Sequence, residues 1–189
     1  MLPELLRKNR SYRRFHQNEL VARKTLEELV DLTRLCPSAS NLQPLKYILS
    51  SDAEQNALIF PHLAWAGYLA GWSGPADGER PAAYIIVLGD TDITRRFGCD
   101  HGIAAQSILL GAAERGLGGC MIASIERDKL RKALNIAQRY EILLVLALGK
   151  PSETVVLDDA KSPDDIKYWR DDADVHHVPK RPLSELIVE

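Results

Sequence analysis

The sequence predicts a domain of the α/β or α+β class built around a single sheet. Three observations carry that expectation. Two continuously apolar runs, 83-AYIIVLG-89 and 142-ILLVLALG-149, read as strands covered on both faces. Segment 101-HGIAAQSILLGAAERG-116 reads as a helix with hardly any polar face, and such helices are buried in a core or between subunits. The elements follow in the order helix, strand, helix, strand, helix, strand, without an internal repeat or a domain boundary. The 189 residues are therefore read as one domain, 1–189, long enough to bury its own core.

Taken in chain order, Thr25-Leu26-Glu27-Glu28 has a capping-box pattern, followed by Leu29, Val30 and Leu35 at near-helical spacing. That helix must stop at Cys36, because Pro37 disfavours helical geometry in the residue before it. A loop, 37-PSASNLQP-44, leads into a strand at 45-LKYILS-50. The stretch 60-FPHLAWAGYLAGWSGPADGERP-81 carries two of the three tryptophans among glycines and prolines, and reads as a mobile aromatic-lined excursion. After the central helix, Gly116 is a stop signal and 118-GGCMIAS-124 a short buried strand. A polar helix follows from about Glu126 to Leu134, with Ser124 a candidate N-cap. Residues 151–189 are acidic and proline-punctuated, and become apolar again only at 183-LSELIV-188. Such a tail is disordered or wraps around something; Trp169 and 175-VHHVPKRPL-183 favour wrapping.

Composition excludes several classes. With a net charge of −2 and a pI near 6.2, nothing argues for nucleic acid or an acidic membrane surface. Charge is uneven, however. Residues 1–24 hold seven Lys/Arg against two Glu, a net of +5, and residues 152–174 hold three basic against eight acidic, a net of −5. A bound anion or a solvated face explains the first equally well. Cys36, Cys99 and Cys120 have no paired spacing and read as reduced thiols, with Cys99 a small buried hydrophobe. No apolar run reaches the ~18 residues of a membrane helix, and 1-MLPELLRKNRSYRRF-15 is too charged for a signal peptide, so a cytoplasmic protein is expected. Phosphate-loop, dinucleotide, zinc-protease and serine-elbow motifs are missing. His176-His177 lacks a third ligand at sensible spacing and reads as a solvated or packed pair.

Four scattered segments remain: 10-RSYRRF-15, 37-PSASNLQP-44, 119-GCMIAS-124 and 179-PKRP-182. Together and in this order they resemble the FMN-dependent nitroreductase family, with residues 52–82 resembling its short-loop subgroup. The resemblance implies an α+β fold: a mostly antiparallel central sheet flanked by helices, and a C-terminal extension crossing to the partner of a homodimer with FMN at the interface. It further implies hydride transfer from NAD(P)H through the flavin to a small planar acceptor, such as a nitroaromatic or quinone.

Arg10, Lys180 and Arg181 are the candidates for the FMN phosphate, with Ser11 beside them, and Arg13 for a cation near the ring. Pro37, Ser38, Ala39, Ser40, Asn41 and Gln43 would line the flavin slot, largely from the second subunit. Ile122, Ala123 and Ser124 would bring backbone N–H groups to the ring, and Asp100 would face it. Trp65, Tyr68 and Trp72 are candidates for a substrate wall, against core or dimer packing. Asn9 and Leu45 depart from the family pattern. Two rival readings share the fold: another flavin reaction, such as dehalogenation or a biosynthetic dehydrogenation, and a flavin-binding dimer that does not turn over.

Overall fold

The computed structural model describes residues 2–188, so the first and last positions of the predicted domain lie outside the described residues. Helix α1 (Leu2–Lys8) opens the described chain, and four strands form an antiparallel sheet in the order β1-β2-β4-β3: β1 Leu45–Ser50, β2 Ala83–Asp90, β3 Gly118–Ile122 and β4 Tyr140–Gly149. Every residue of β2 is buried. Its alternate side chains serve two cores, as a two-residue period requires. Ile85 and Val87 meet helices α2 (Arg23–Asp31) and α4 (Asp100–Glu114) on one face. Tyr84, Ile86 and Leu88 meet Ile59 of α3 (Ala53–Ile59) and Leu130 of α5 (Arg127–Ala133) on the other. A bulge opposite Val87 and Leu88 shifts β4 by one residue, which lets Ile142 and Val145, three apart, fill the same core. The sheet and its two helical layers are the predicted α+β architecture.

Helix α2 starts at Arg23, with Ala22 in the capping position and no side-chain cap, so Thr25 lies inside the helix and the capping box is corrected. Buried Val21 anchors the chain just upstream and fixes the earlier start. The helix tightens into a 3-10 turn, Leu32–Leu35, and Cys36 turns to extended geometry before Pro37, where the proline was expected to stop it. Helix α4 is capped by Arg115 and stopped by Gly116, whose φ of +73° gives the left-handed turn. Cys99 is exposed at its start, not buried as expected, because the side chain precedes the first helical turn that enters the core. Glu126, not Ser124, occupies the cap position of α5.

Two segments differ more from expectation. Within 60–81, Trp65 is 8% exposed and belongs to the core of Ile59 and Leu63, so the excursion is anchored by its own tryptophan. The 151–180 segment is neither disordered nor free: β5 (Val155–Asp159), β6 (Trp169–Arg170) and β7 (His176–Lys180) form a second sheet in the order β5-β7-β6. This sheet folds against the chain's own N-terminal segment. Phe15 bridges Pro151, the His16 N–H donates to the Lys150 carbonyl, and the Ser152 N–H to the Arg14 carbonyl. Among the described residues, no helix is long and apolar enough to cross a membrane.

Candidate functional site

β3 is an edge strand, and edge strands leave one row of backbone groups without ladder partners. Two bridges cover parts of that row. Ser11 pairs with Gly119 at one end, where the Tyr12 N–H donates to the Gly119 carbonyl, and Leu63 pairs with Ile125 at the other. The first contact needs glycine. A Cβ on Gly119 would stand 2.6 Å from the Ala147 carbonyl oxygen and from the Leu109 side chain, and one on Gly118 would enter the Tyr12 ring. Gly118 thus leaves room for Tyr12 along the sheet edge, and Gly119 lets the strand beside Ser11 pack closely on β4 and α4.

Between the bridges, Ile122, Ala123 and Ser124 line a cleft of about 220 Å³ with Arg13, Trp65 and Tyr168. A second cleft of about 340 Å³ joins it through Arg13, Met121 and Tyr168, and is walled by Arg10, Ser11, His176 and Lys180. Four predicted phosphate and ring residues therefore converge. Arg181 does not join them; it pairs with Glu185 at 2.9 Å, because alternate positions after β7 face opposite ways.

The electrostatics of this double cleft arise from how the basic and acidic segments meet. Glu153, whose side chain is 2% exposed, accepts the Arg13 and Arg14 backbone N–H groups and pairs with Arg170 at 2.9 Å. Arg14 is taken by Asp174 and Glu79. The acidic tail thus neutralises part of the basic segment within one chain. The Arg13 guanidinium instead contacts the Ser11 carbonyl at 3.2 Å and His176 Nε2 at 3.4 Å, and lies over the Tyr168 ring at 4.9 Å. Burial, then the charges of Arg13, Arg170 and His177, push the His176 pKa down to about 4, so its ring is neutral near pH 7. Three residues that line these clefts each carry a buried polar atom without a protein partner: Arg10 Nε, His176 Nδ1 and Trp65 Nε1.

The loop 37–44 lies elsewhere. Pro37, Ser38, Asn41 and Gln43 line a cleft of about 120 Å³ together with Asp100, and it shares no lining residue with the other two. Asp100, buried at the start of α4, holds the loop: it accepts the Ser38 hydroxyl at 2.6 Å and the Ala39 N–H at 3.1 Å. Ser40, Asn41 and Gln43 all have φ near +50°, a left-handed geometry that costs non-glycine residues energy and clusters at functional sites. Gln43 then ties back to Asn41 through its amide.

Of the aromatic candidates, Trp65 lines the β3 cleft and Tyr68 packs against Tyr168, ring centroids 5.0 Å apart and planes tilted by 54°. Trp72 does not reach it, being held under Arg170 at 4.6 Å. Sequence reasoning missed Tyr168, which lines both joined clefts, and His176, which it placed in a solvated or packed pair. Period-two alternation along a strand starting at His176 was the available signal: His176 points in, while His177 points out to Asp158 and Asp171.

Comparisons with known proteins agree with this fold. The model of the nitroreductase family matches residues 6–150. The "Putative NAD(P)H nitroreductase YodC" of Bacillus subtilis is 23% identical over 177 residues, covering 78% of this chain and 88% of that protein. A nitroreductase family protein from Streptococcus pneumoniae superposes with a TM-score of 0.70 at 18% identity, covering 100% of both chains. A "putative nitroreductase in complex with FMN" from Exiguobacterium sibiricum superposes at 0.72 and 17% identity, over 100% of this chain and 97% of that one.

Proposed function

This chain belongs to the nitroreductase family, and from that premise we propose that it is an FMN-dependent oxidoreductase carrying electrons from NAD(P)H to a small planar acceptor such as a nitroaromatic or quinone. In this reading residues 1–189 act as one FMN-binding domain within a cytoplasmic homodimer. The observation that carries it is the convergence of Arg10, Arg13 and Lys180 on a cleft that runs to the open edge of β3. A similar fold holds FMN in the Exiguobacterium protein.

The residues present fit that cofactor. An unpartnered Arg10 Nε and a nearby ammonium suit a phosphate. Arg13 is a fixed cation where a ring's electron-rich edge needs one. The open backbone at 122–124 supplies donors, and Trp65 a dry apolar wall. When bound, FMN would supply the hydride-transfer chemistry between a nicotinamide donor and the acceptor. The chain's part is then to bind, orient and tune, and no side chain is required as a general acid or base.

Loop 37–44 supports the dimer. Within one chain it lines a separate cleft, so to border the same flavin it must come from a second copy. Exposed Leu183, Leu186, Ile187 and Val188 then form the segment that crosses, since 151–180 is already folded on its own chain. The deciding experiment is a visible spectrum of purified protein with added FMN, followed by NADH or NADPH oxidation with a quinone. A flavin band and turnover are expected. No flavin uptake overturns the reading, and uptake without turnover would leave a binding protein.

A further inference from the structure

His176 has one nitrogen engaged and one not. Arginine carries only donors, so at 3.4 Å from Arg13 Nη1 the Nε2 atom can only accept. A neutral imidazole that accepts at Nε2 carries its proton on Nδ1. That Nδ1–H is a buried donor on a residue 1% exposed, and nothing in the protein accepts from it. Leaving such a donor unmatched destabilises the folded chain, so an acceptor is expected in the cleft that His176 lines. Arg10 Nε, also buried and unpartnered, lines the same cleft, and Lys180 adds a positive charge. Two idle donors beside a cation call for an anionic oxygen cluster.

We propose that His176, as its Nδ1–H tautomer, donates to a phosphate group held in this cleft with Arg10 and Lys180. The role is fixed by the fold. β7 turns His176 inward through the donation of its N–H to the Thr154 carbonyl, and Tyr168 packs on its ring at 5.3 Å. A neutral donor here adds a hydrogen bond without adding a charge to Arg13 beside it. His177, by contrast, is committed to Asp158 and Asp171 and takes no part.

The inference rests on the flavin reading, and the test separates the two. FMN and riboflavin, which lacks the phosphate, are titrated against the parent, His176→Phe and His176→Gln by flavin fluorescence. In His176→Phe the FMN affinity falls by about tenfold or more, the scale of a hydrogen bond to a charged group. Riboflavin affinity falls far less, since that ligand feels only the lost Arg13 contact, and His176→Gln restores part of the FMN loss. Equal losses for both flavins mean a packing role and overturn the proposal, as does an unchanged FMN affinity. If the parent takes up no flavin, the flavin reading fails alone, and the imidazole ¹⁵N spectrum with inorganic phosphate decides His176. An Nδ1–H tautomer shifted by phosphate upholds the proposal. An Nε2–H tautomer, or no response to phosphate, overturns it.

Discussion

Glu153 is the side chain on which the N-terminal segment turns. It is a buried carboxylate that accepts two consecutive backbone N–H groups and an arginine. Removing one partner of a buried pair leaves the other charge uncompensated, so Glu153→Ala should lose about 3–5 kcal/mol, read as a lower urea midpoint. Tyr84 is the opposite case. Its hydroxyl is buried without a protein partner, and burial raises its pKa. Tyr84→Phe should therefore match or exceed the parent in the same unfolding experiment; a loss above about 1 kcal/mol would show a hidden partner. Arg13→Ala should weaken FMN binding by about tenfold or lower the flavin potential, because a desolvated cation is lost, and unchanged values for both would remove its assignment. Arg10 and Arg13 were legible because a short motif fixes them. Glu153 and Tyr168 were not, since their partners lie some 140 and 100 residues away in sequence.

Among the elements, β3 and α4 carry the site. Gly119 sits where backbone and Leu109 leave no room for a methyl group. Gly119→Ala should cost about 1–3 kcal/mol, as overpacking does, and should weaken FMN binding as well, because Ser11 loses its seat on the edge. Stability measured by urea and affinity by fluorescence should fall together; a change in stability alone would dissociate them. The strands and most helices were legible from apolar period and run length. The small sheet of β5, β6 and β7 was not. Its strands are short, half-exposed and rich in Asp, His and Pro, so no apolar alternation betrays them, and they lean on contacts with Arg13 and Arg14.

For the whole molecule, pH separates two neighbouring histidines. His176 has a depressed pKa near 4, so below about 6.5 the unfolded chain binds a proton that the folded chain refuses, and stability falls as pH drops from 6.5 toward 4. His177 is the reverse. Asp158, then Asp171, raise its pKa, so its contribution is complete below about 6.5 and is lost as pH rises through the folded value. Urea midpoints across pH should show His176→Phe flattening the acid limb and His177→Gln the limb above neutrality; identical profiles would refute the assignment. Assembly gives the other test. Deleting residues 183–189 should shift sedimentation toward monomer, since that end exposes Leu183, Leu186, Ile187 and Val188.

From its residues alone, the chain determined the strands of the main sheet, most of the helices and the burial of α4, because periodicity and run length are local properties. Its four short motifs nominated Arg10, Lys180 and Arg181 for a phosphate and Arg13 for a cation near the ring. Only the tertiary structure decided that Arg181 and Trp72 stand apart, that Trp65 is core, that Asp100 braces loop 37–44, and that Tyr168 and His176 close over Arg13. Those outcomes depend on which way a side chain points once distant segments pack, and that direction is fixed by pairing across the fold.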